Sequence, residues 1–112
     1  MNSKTVRLLR SYARSSGMTL KSVKREWATT PRNDRGDVRK EMERSLWRRK
    51  LQEFRKAHQL SEKEAAGKFS IPYDTWRAWE MMKHTPSRFV QIALGTAMRQ
   101  MADDSNQSPS HP

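Results

Sequence analysis

Arginine supplies most of the chemistry available to this chain. Arg7, Arg10 and Arg14 stand on successive turns of a helical pattern with no acid between them. Such a row repels itself unless something anionic neutralises it. Further on, Arg48-Arg49-Lys50 and Arg55-Lys56 flank an apolar seam. A guanidinium presents its donors in a planar fork that suits phosphate, so contact with a polyanion is a stronger reading of these rows than solubility alone. Other chemistries lack their residues. The chain has no cysteine, which excludes disulfides, thiolate metal sites and thiol catalysis. His58, His84 and His111 fall at no ligand spacing, so neither zinc nor any other cofactor is implied. No nucleophile stands at the spacing of a base, and Glu62 with Glu64 reads as helix-start charge; an enzyme is the least expected function.

The charge is unevenly placed. Lysine and arginine total 23 against 12 acidic residues, a net +11 over 112 residues. Residues 1–58 hold 17 basic and 6 acidic residues, 59–102 hold 6 and 4, and 103–112 contribute −2. A field of that sign in the first half attracts nucleic acid or an acidic membrane surface. No apolar run approaches the length of a membrane span and the N-terminus lacks the apolar core of a signal peptide, so a soluble cytoplasmic protein without a membrane partner is expected. The length allows one small domain plus an extension.

The elements that must position these charges are all helical. Ser3 to Arg14 has Val6, Leu9 and Ala13 on one face, with Tyr12 nearby, and Ser15-Ser16-Gly17 stops it. Thr19 can cap a second helix in which Leu20, Val23 and Trp27 repeat while Lys21, Lys24 and Arg25 face outward. A basic helical hairpin results. Thr29 to Gly36 contains proline, glycine and no apolar residue, and reads as a hinge loop. From Asp37, Val38, Met42 and Leu46 form one stripe, and Trp47, Leu51, Phe54 and His58 another displaced by one residue; either a long helix rotates its buried face or it restarts near Ser45.

The stretch from Leu60 to Ser87 organises the rest. Ser61 with Glu64 has the spacing of a capping box, Ala65 and Ala66 are small on the inner face, and Phe69-Ser70-Ile71-Pro72 breaks the pattern before a second short helix. Phe69, Ile71, Trp76 and Trp79 are expected in the shared core. Ser87 caps a last helix to about Met101, apolar around well over half its circumference, more than one domain buries. The surplus packs on the hairpin or on a second copy. The expected division is 1–36 as basic extension and hinge, 37–102 as the main domain and 103–112 as a disordered tail.

Leu60-Ser61, Ala66, Trp79-Glu80 and Pro86-Ser87 resemble the helix-turn-helix of the Cro and phage-repressor (Xre-type) family, over about half the chain from Ser45 to Thr96. The fold implied is all-α, an Xre-type helix-turn-helix domain preceded by the basic hairpin. In the family a basic residue late in the first helix pairs with the glutamate after the tryptophan; those positions are Arg55 and Glu80. The positions facing base edges fall on Tyr73, Asp74 and Arg77. Arg77 can pair with guanine; Asp74 either accepts from a cytosine amino group or serves the helix N-terminus; Tyr73 either touches a thymine methyl or donates to a phosphate. Thr75, Arg48, Arg49 and Lys83 take phosphate contacts, with Arg7, Arg10 and Arg14 from the hairpin. Ser70 stands where the family has the turn glycine, so it is left-handed or the turn differs. Glu62 replaces a glutamine that donates to phosphate, and Met82 replaces the glycine that ends the recognition helix, which then runs longer or ends otherwise.

The resemblance implies a sequence-specific DNA-binding transcriptional regulator, most directly a repressor on a palindromic operator, of phage or mobile-element type and nucleoid-associated when bound. Thr85 to Ala97 is similar to the fourth helix of anti-CRISPR-associated regulators. Because repressors of the family commonly dimerise, Val90, Leu94, Met98 and Met101 are expected to form a homodimer interface, with Phe89, Ile92 and Ala93 facing the motif core. The alternatives are the antitoxin of a toxin-antitoxin pair, with a toxin partner, and a non-specific nucleic-acid-binding protein.

Overall fold

Residues close in sequence decide where each helix begins. Thr19 Oγ1 accepts from the Ser22 amide at 3.1 Å and caps a helix over Leu20–Thr29. Ser61 Oγ accepts from the Glu64 amide at 3.1 Å while Glu64 Oε1 accepts from the Ser61 amide at 3.0 Å, a reciprocal box that opens a helix over Glu62–Lys68. The Ser61 backbone N–H, and then its hydroxyl, holds the Glu64 carboxyl below the usual carboxylate range. A depressed pKa adds stability above the ordinary glutamate value, and that stability is lost as pH falls through the folded value.

In the computed structural model, which describes residues 3–106 and the side chains as far as Met101, the chain is all-α. The described residues form α1 (Ser3–Ser16), α2 (Leu20–Thr29), α3 (Arg35–His58), α4 (Glu62–Lys68), α5 (Tyr73–Glu80) and α6 (Arg88–Asn106), with a 3-10 turn at Arg32–Asp34 between α2 and α3. No helix among the described residues is long and apolar enough to cross a membrane. The stretch expected as a hinge loop from Thr29 to Gly36 is mostly structured, since that turn feeds directly into α3.

Four of the helices end alike, in a left-handed residue followed by a backbone N–H that reaches back five positions. At α1 the left-handed residue is Gly17, and the Met18 amide reaches Ala13 O at 3.0 Å. At α3, α4 and α5 it is Gln59 (φ 56°), Ser70 (φ 54°) and Met82 (φ 62°), followed by Leu60 to Arg55 O at 2.8 Å, Ile71 to Ala66 O at 2.9 Å and Lys83 to Ala78 O at 2.9 Å. Ser70 and Met82 therefore hold the glycine-like conformation without being glycine, and α5 stops at Glu80 rather than running on.

The long helix α3 is continuous, and its two apolar stripes serve two cores. Val38 and Met42 pack with Leu9, Ala13, Val23 and Trp27 of the hairpin. Trp47, Leu51 and Phe54 pack with Ala65, Ala66, Trp76, Trp79 and Leu94. The division falls between Met42 and Trp47, inside the helix. Cores placed in tandem along one rod make the molecule long: its radius of gyration is 16.2 Å and its extents 56 × 32 × 22 Å, against about 13 Å for the radius of a compact chain of this size.

The sides of α6 are the reverse of those expected. Leu94 is only 3 % exposed, with Val90, Met98 and Met101 packed beside it against the chain's own second core. Phe89 and Ile92 are 80 % and 59 % exposed, and Ala93 is exposed with them. The apolar arc covers well over half the circumference, and the side turned inward is the one opposite Arg88, Thr96, Arg99 and Gln100. Pro86 is buried, its carbonyl accepts from Gln91 Nε2 at 2.9 Å, and Ser87 O accepts from the Gln91 amide at 2.8 Å. Residues 103–106, expected as tail, continue α6; the rest of the expected tail, 107–112, lies outside the described residues.

Left-handed backbone costs a non-glycine residue on the order of 1 kcal/mol. Ser70 is exposed, and Ser70→Gly removes that strain without opening the core. It is expected to stabilise the fold by about 0.5–1 kcal/mol in urea titration, the gain being net of glycine's greater freedom when unfolded. Ser70→Val is expected to shift the midpoint the other way.

Candidate nucleic-acid interface

The outward face of α5 is defined by what its inward face buries. Trp76, Trp79 and Glu80, at i, i+3 and i+4, are all buried. Ring contacts run from Phe54 on α3 to Phe69 at 5.3 Å, from Phe69 to Trp76 at 6.1 Å with the planes nearly parallel, and from Trp76 to Trp79 at 6.3 Å. The small Ala65 and Ala66 let α4 approach closely beneath them.

Glu80 is a buried carboxylate held by three donors. Arg55 Nε donates to Oε2 and Arg55 Nη2 to Oε1, each at 2.7 Å, and Trp76 Nε1 also donates to Oε2. This bidentate pair is the one ion pair among the described residues. The hydrogen bond to Glu80 raises the Arg55 pKa above its ordinary value. That contribution is lost only above an already very high pH.

With Trp76 and Trp79 inside, Asp74 and Arg77 project outward, with Ala78 half-buried on the far side of Asp74, and Tyr73 and Thr75 lie at the margins. Arg77 Nη1 donates to the Tyr73 hydroxyl at 3.2 Å. Lys63, on α4, stands 5.9 Å from the centre of the Tyr73 ring. One basic group not singled out from the sequence therefore joins the edge; its signal was its place in the first turn of α4.

A second basic row borders the end of α5. Arg48 Nη1 lies 3.6 Å from the Met82 sulfur, and Lys40 and Arg44 share a cleft with Met82 and two acids, Asp37 and Glu41. Lys40, Arg44 and Arg48 are four residues apart and so form one row on α3. Lys40 and Arg44 were not among the sequence candidates, although this spacing was visible. Lys83 is exposed in the turn after α5.

The remaining phosphate candidates face elsewhere. Arg49 lies with Arg14 and Ser11 in a cleft between α1 and α3, together with Lys50 and Glu53. Arg7 lines an adjoining cleft with Lys4, Arg39, Glu43 and Arg88. Arg10 is exposed on α1 and lines neither cleft. Residues two apart on a helix are about 200° apart around its axis, so Lys50 and Arg48 point to opposite sides of α3. The candidates thus divide into two groups across that helix, and no single flat partner spans both.

No family model, curated protein or solved structure matches the chain when it is compared with each.

Leaving Glu80 buried without its partner is expensive. Arg55→Met is expected to cost about 2–4 kcal/mol in denaturant unfolding, at the lower part of the usual range because the arginine keeps some solvent contact. The double variant Arg55→Met with Glu80→Leu is expected to recover a large part of that loss, and failure to recover would mean that Trp76 depends on the carboxylate more than the arginine does.

Proposed function

We propose that the chain is a sequence-specific DNA-binding transcriptional regulator with a helix-turn-helix of the Cro/phage-repressor (Xre) type, most directly a repressor. The observation that carries this reading is the outward face of α5. Arg77 is held against Tyr73 there, Lys63 of α4 stands over the Tyr73 ring, and Arg44 and Arg48 on α3 lie at Met82, just past the end of α5. A short helix with an exposed arginine and basic groups near each of its ends suits a major groove bordered by phosphates. The left-handed Ser70 and Met82 support the same reading, since they reproduce without glycine the turn geometry that the resemblance implies.

In this reading Arg77 reads guanine, Tyr73 is turned toward the arginine as its orienting partner, and Asp74 is free to accept at the same edge. Thr75, Arg48 and Lys83 contact phosphates on this side. The homodimer uses the exposed arc of α6, Phe89, Ile92 and Ala93, in place of Leu94 and its neighbours, because a residue packed in its own core is not available to a second copy.

Two measurements test this. A preferred duplex is first selected from a random pool by the wild-type protein. Arg77→Ala is then expected to weaken binding to it by about 1–3 kcal/mol and to relax preference at one base pair per half-site, as loss of a bidentate base contact does. An equal loss on selected and random duplexes would make Arg77 a phosphate contact instead.

For the dimer, Ile92→Glu is expected to yield a folded monomer in sedimentation, since a charge on a two-fold patch meets its own image. Leu94→Glu is expected to unfold the chain. A dimeric Ile92→Glu protein would place the interface away from α6.

A further inference from the structure

The side of α3 turned away from α5 carries an arrangement of charge that the reading through α5 leaves unused. Arg39 lines both a cavity of about 720 Å³ beside Trp27 and the cleft that holds Arg7 and Arg88. Lys50 and Leu46 continue the same trough to the end that holds Arg14. From Arg35 to Lys50 it follows about 22 Å of helix, the length occupied by roughly six phosphates of one strand of a duplex.

Its cations are not internally neutralised. Glu43 and Glu53 border the trough, yet neither is ion-paired, since the pair Arg55–Glu80 is the one found among the described residues. At the Trp27 end the Arg35 Nε is buried with no hydrogen-bond partner, while Nη2 of the same side chain donates to Trp27 O at 3.3 Å. The Arg35 guanidinium is thus fixed by Trp27 at the wall of the cavity.

The aromatic faces show which polyanion fits. Arg35 and Arg39 cover the Trp27 ring at 5.3 and 5.9 Å, and the Lys50 ammonium covers Trp47 at 4.8 Å. Proteins that hold single strands stack bases on open aromatic rings, and here the rings are already occupied by the chain's own cations. What the trough offers is donors for a backbone, without a platform for bases.

We propose that this trough is a second, sequence-independent surface for duplex DNA, so that one chain holds two DNA segments on opposite sides of α3. The bridging rests on the reading of α5 as the first DNA face; the trough does not.

The test uses the full chain and two random-sequence 30-base-pair duplexes, one immobilised and one fluorescent. Wild-type protein is expected to retain the fluorescent duplex on the immobilised one. Arg7→Glu with Arg88→Glu changes two exposed trough residues; Arg48→Glu with Arg77→Glu changes the α5 side and the net charge by the same amount. The trough variant is expected to bind a single duplex still, through the α5 side, and to lose at least about fivefold in retention of the second duplex. The α5-side variant is expected to lose retention to a similar extent. Thermal unfolding followed by circular dichroism confirms that each variant is folded.

Retention by the trough variant equal to wild type overturns the proposal. Normal retention by the α5-side variant, with loss in the trough variant, overturns the reading of α5 and leaves the trough standing. Displacement of the duplex from the α5-side variant by single-stranded RNA at lower concentration than by duplex DNA overturns the choice of ligand.

Discussion

A buried carboxylate sets the geometry on which the functional reading depends. Glu80 lies at the end of α5 with almost no solvent contact, and its two oxygens take hydrogen bonds from Arg55 on α3 and Trp76 on its own helix. Removing a carboxylate from water costs several kcal/mol, and a bidentate guanidinium offsets that cost only in a narrow range of positions. A helix eight residues long, already packed through Trp76 and Trp79, thus acquires a fixed rotation and a fixed distance from α3. Arg77, on the opposite side, takes its direction from this buried face of Trp76, Trp79 and Glu80.

The helix α3 carries this constraint to the rest of the molecule. Its first turns complete the core of the hairpin and its last turns complete the core around Trp76, so the two share one rigid rod and no flexible joint separates them. The same rod partitions the basic residues. Adjacent arginines such as Arg48 and Arg49 are about 100° apart around the axis, and this is enough to send one toward Met82 and the other into the cleft with Arg14. A chain whose charge looks like one diffuse cloud becomes a molecule with two charged sides.

Much of the scaffold was legible from neighbouring residues. Thr19, the Ser61–Glu64 box and Gly17 start or stop helices through hydrogen bonds that span five residues or fewer, so their spacing alone specifies them. The stripes of Leu9, Val23, Trp27, Leu51 and Trp76 mark buried faces because each has polar residues opposite it. The all-α class follows from these local facts. Within the candidate site, the outward placement of Asp74 and Arg77 follows from the inward spacing of Trp76 and Trp79.

Wherever two local outcomes had similar energy, tertiary contacts decided. Ser70 and Met82 occupy left-handed backbone because the packing of Phe69 and Trp79 over α3 holds the turns that require it. Displaced stripes on α3 allowed either one helix or two, and the continuous solution is the one that lets each stripe meet a separate core. On α6 the apolar arc is wide, and the side that goes inward is the one opposite Arg88, Thr96, Arg99 and Gln100; the buried Pro86 and the bonds from Gln91 at the entry hold the rotation that puts Leu94 inside with Phe89 outside. Spacing specifies a face when polarity differs around the helix; where it does not, only the neighbours that arrive from elsewhere in the chain can choose.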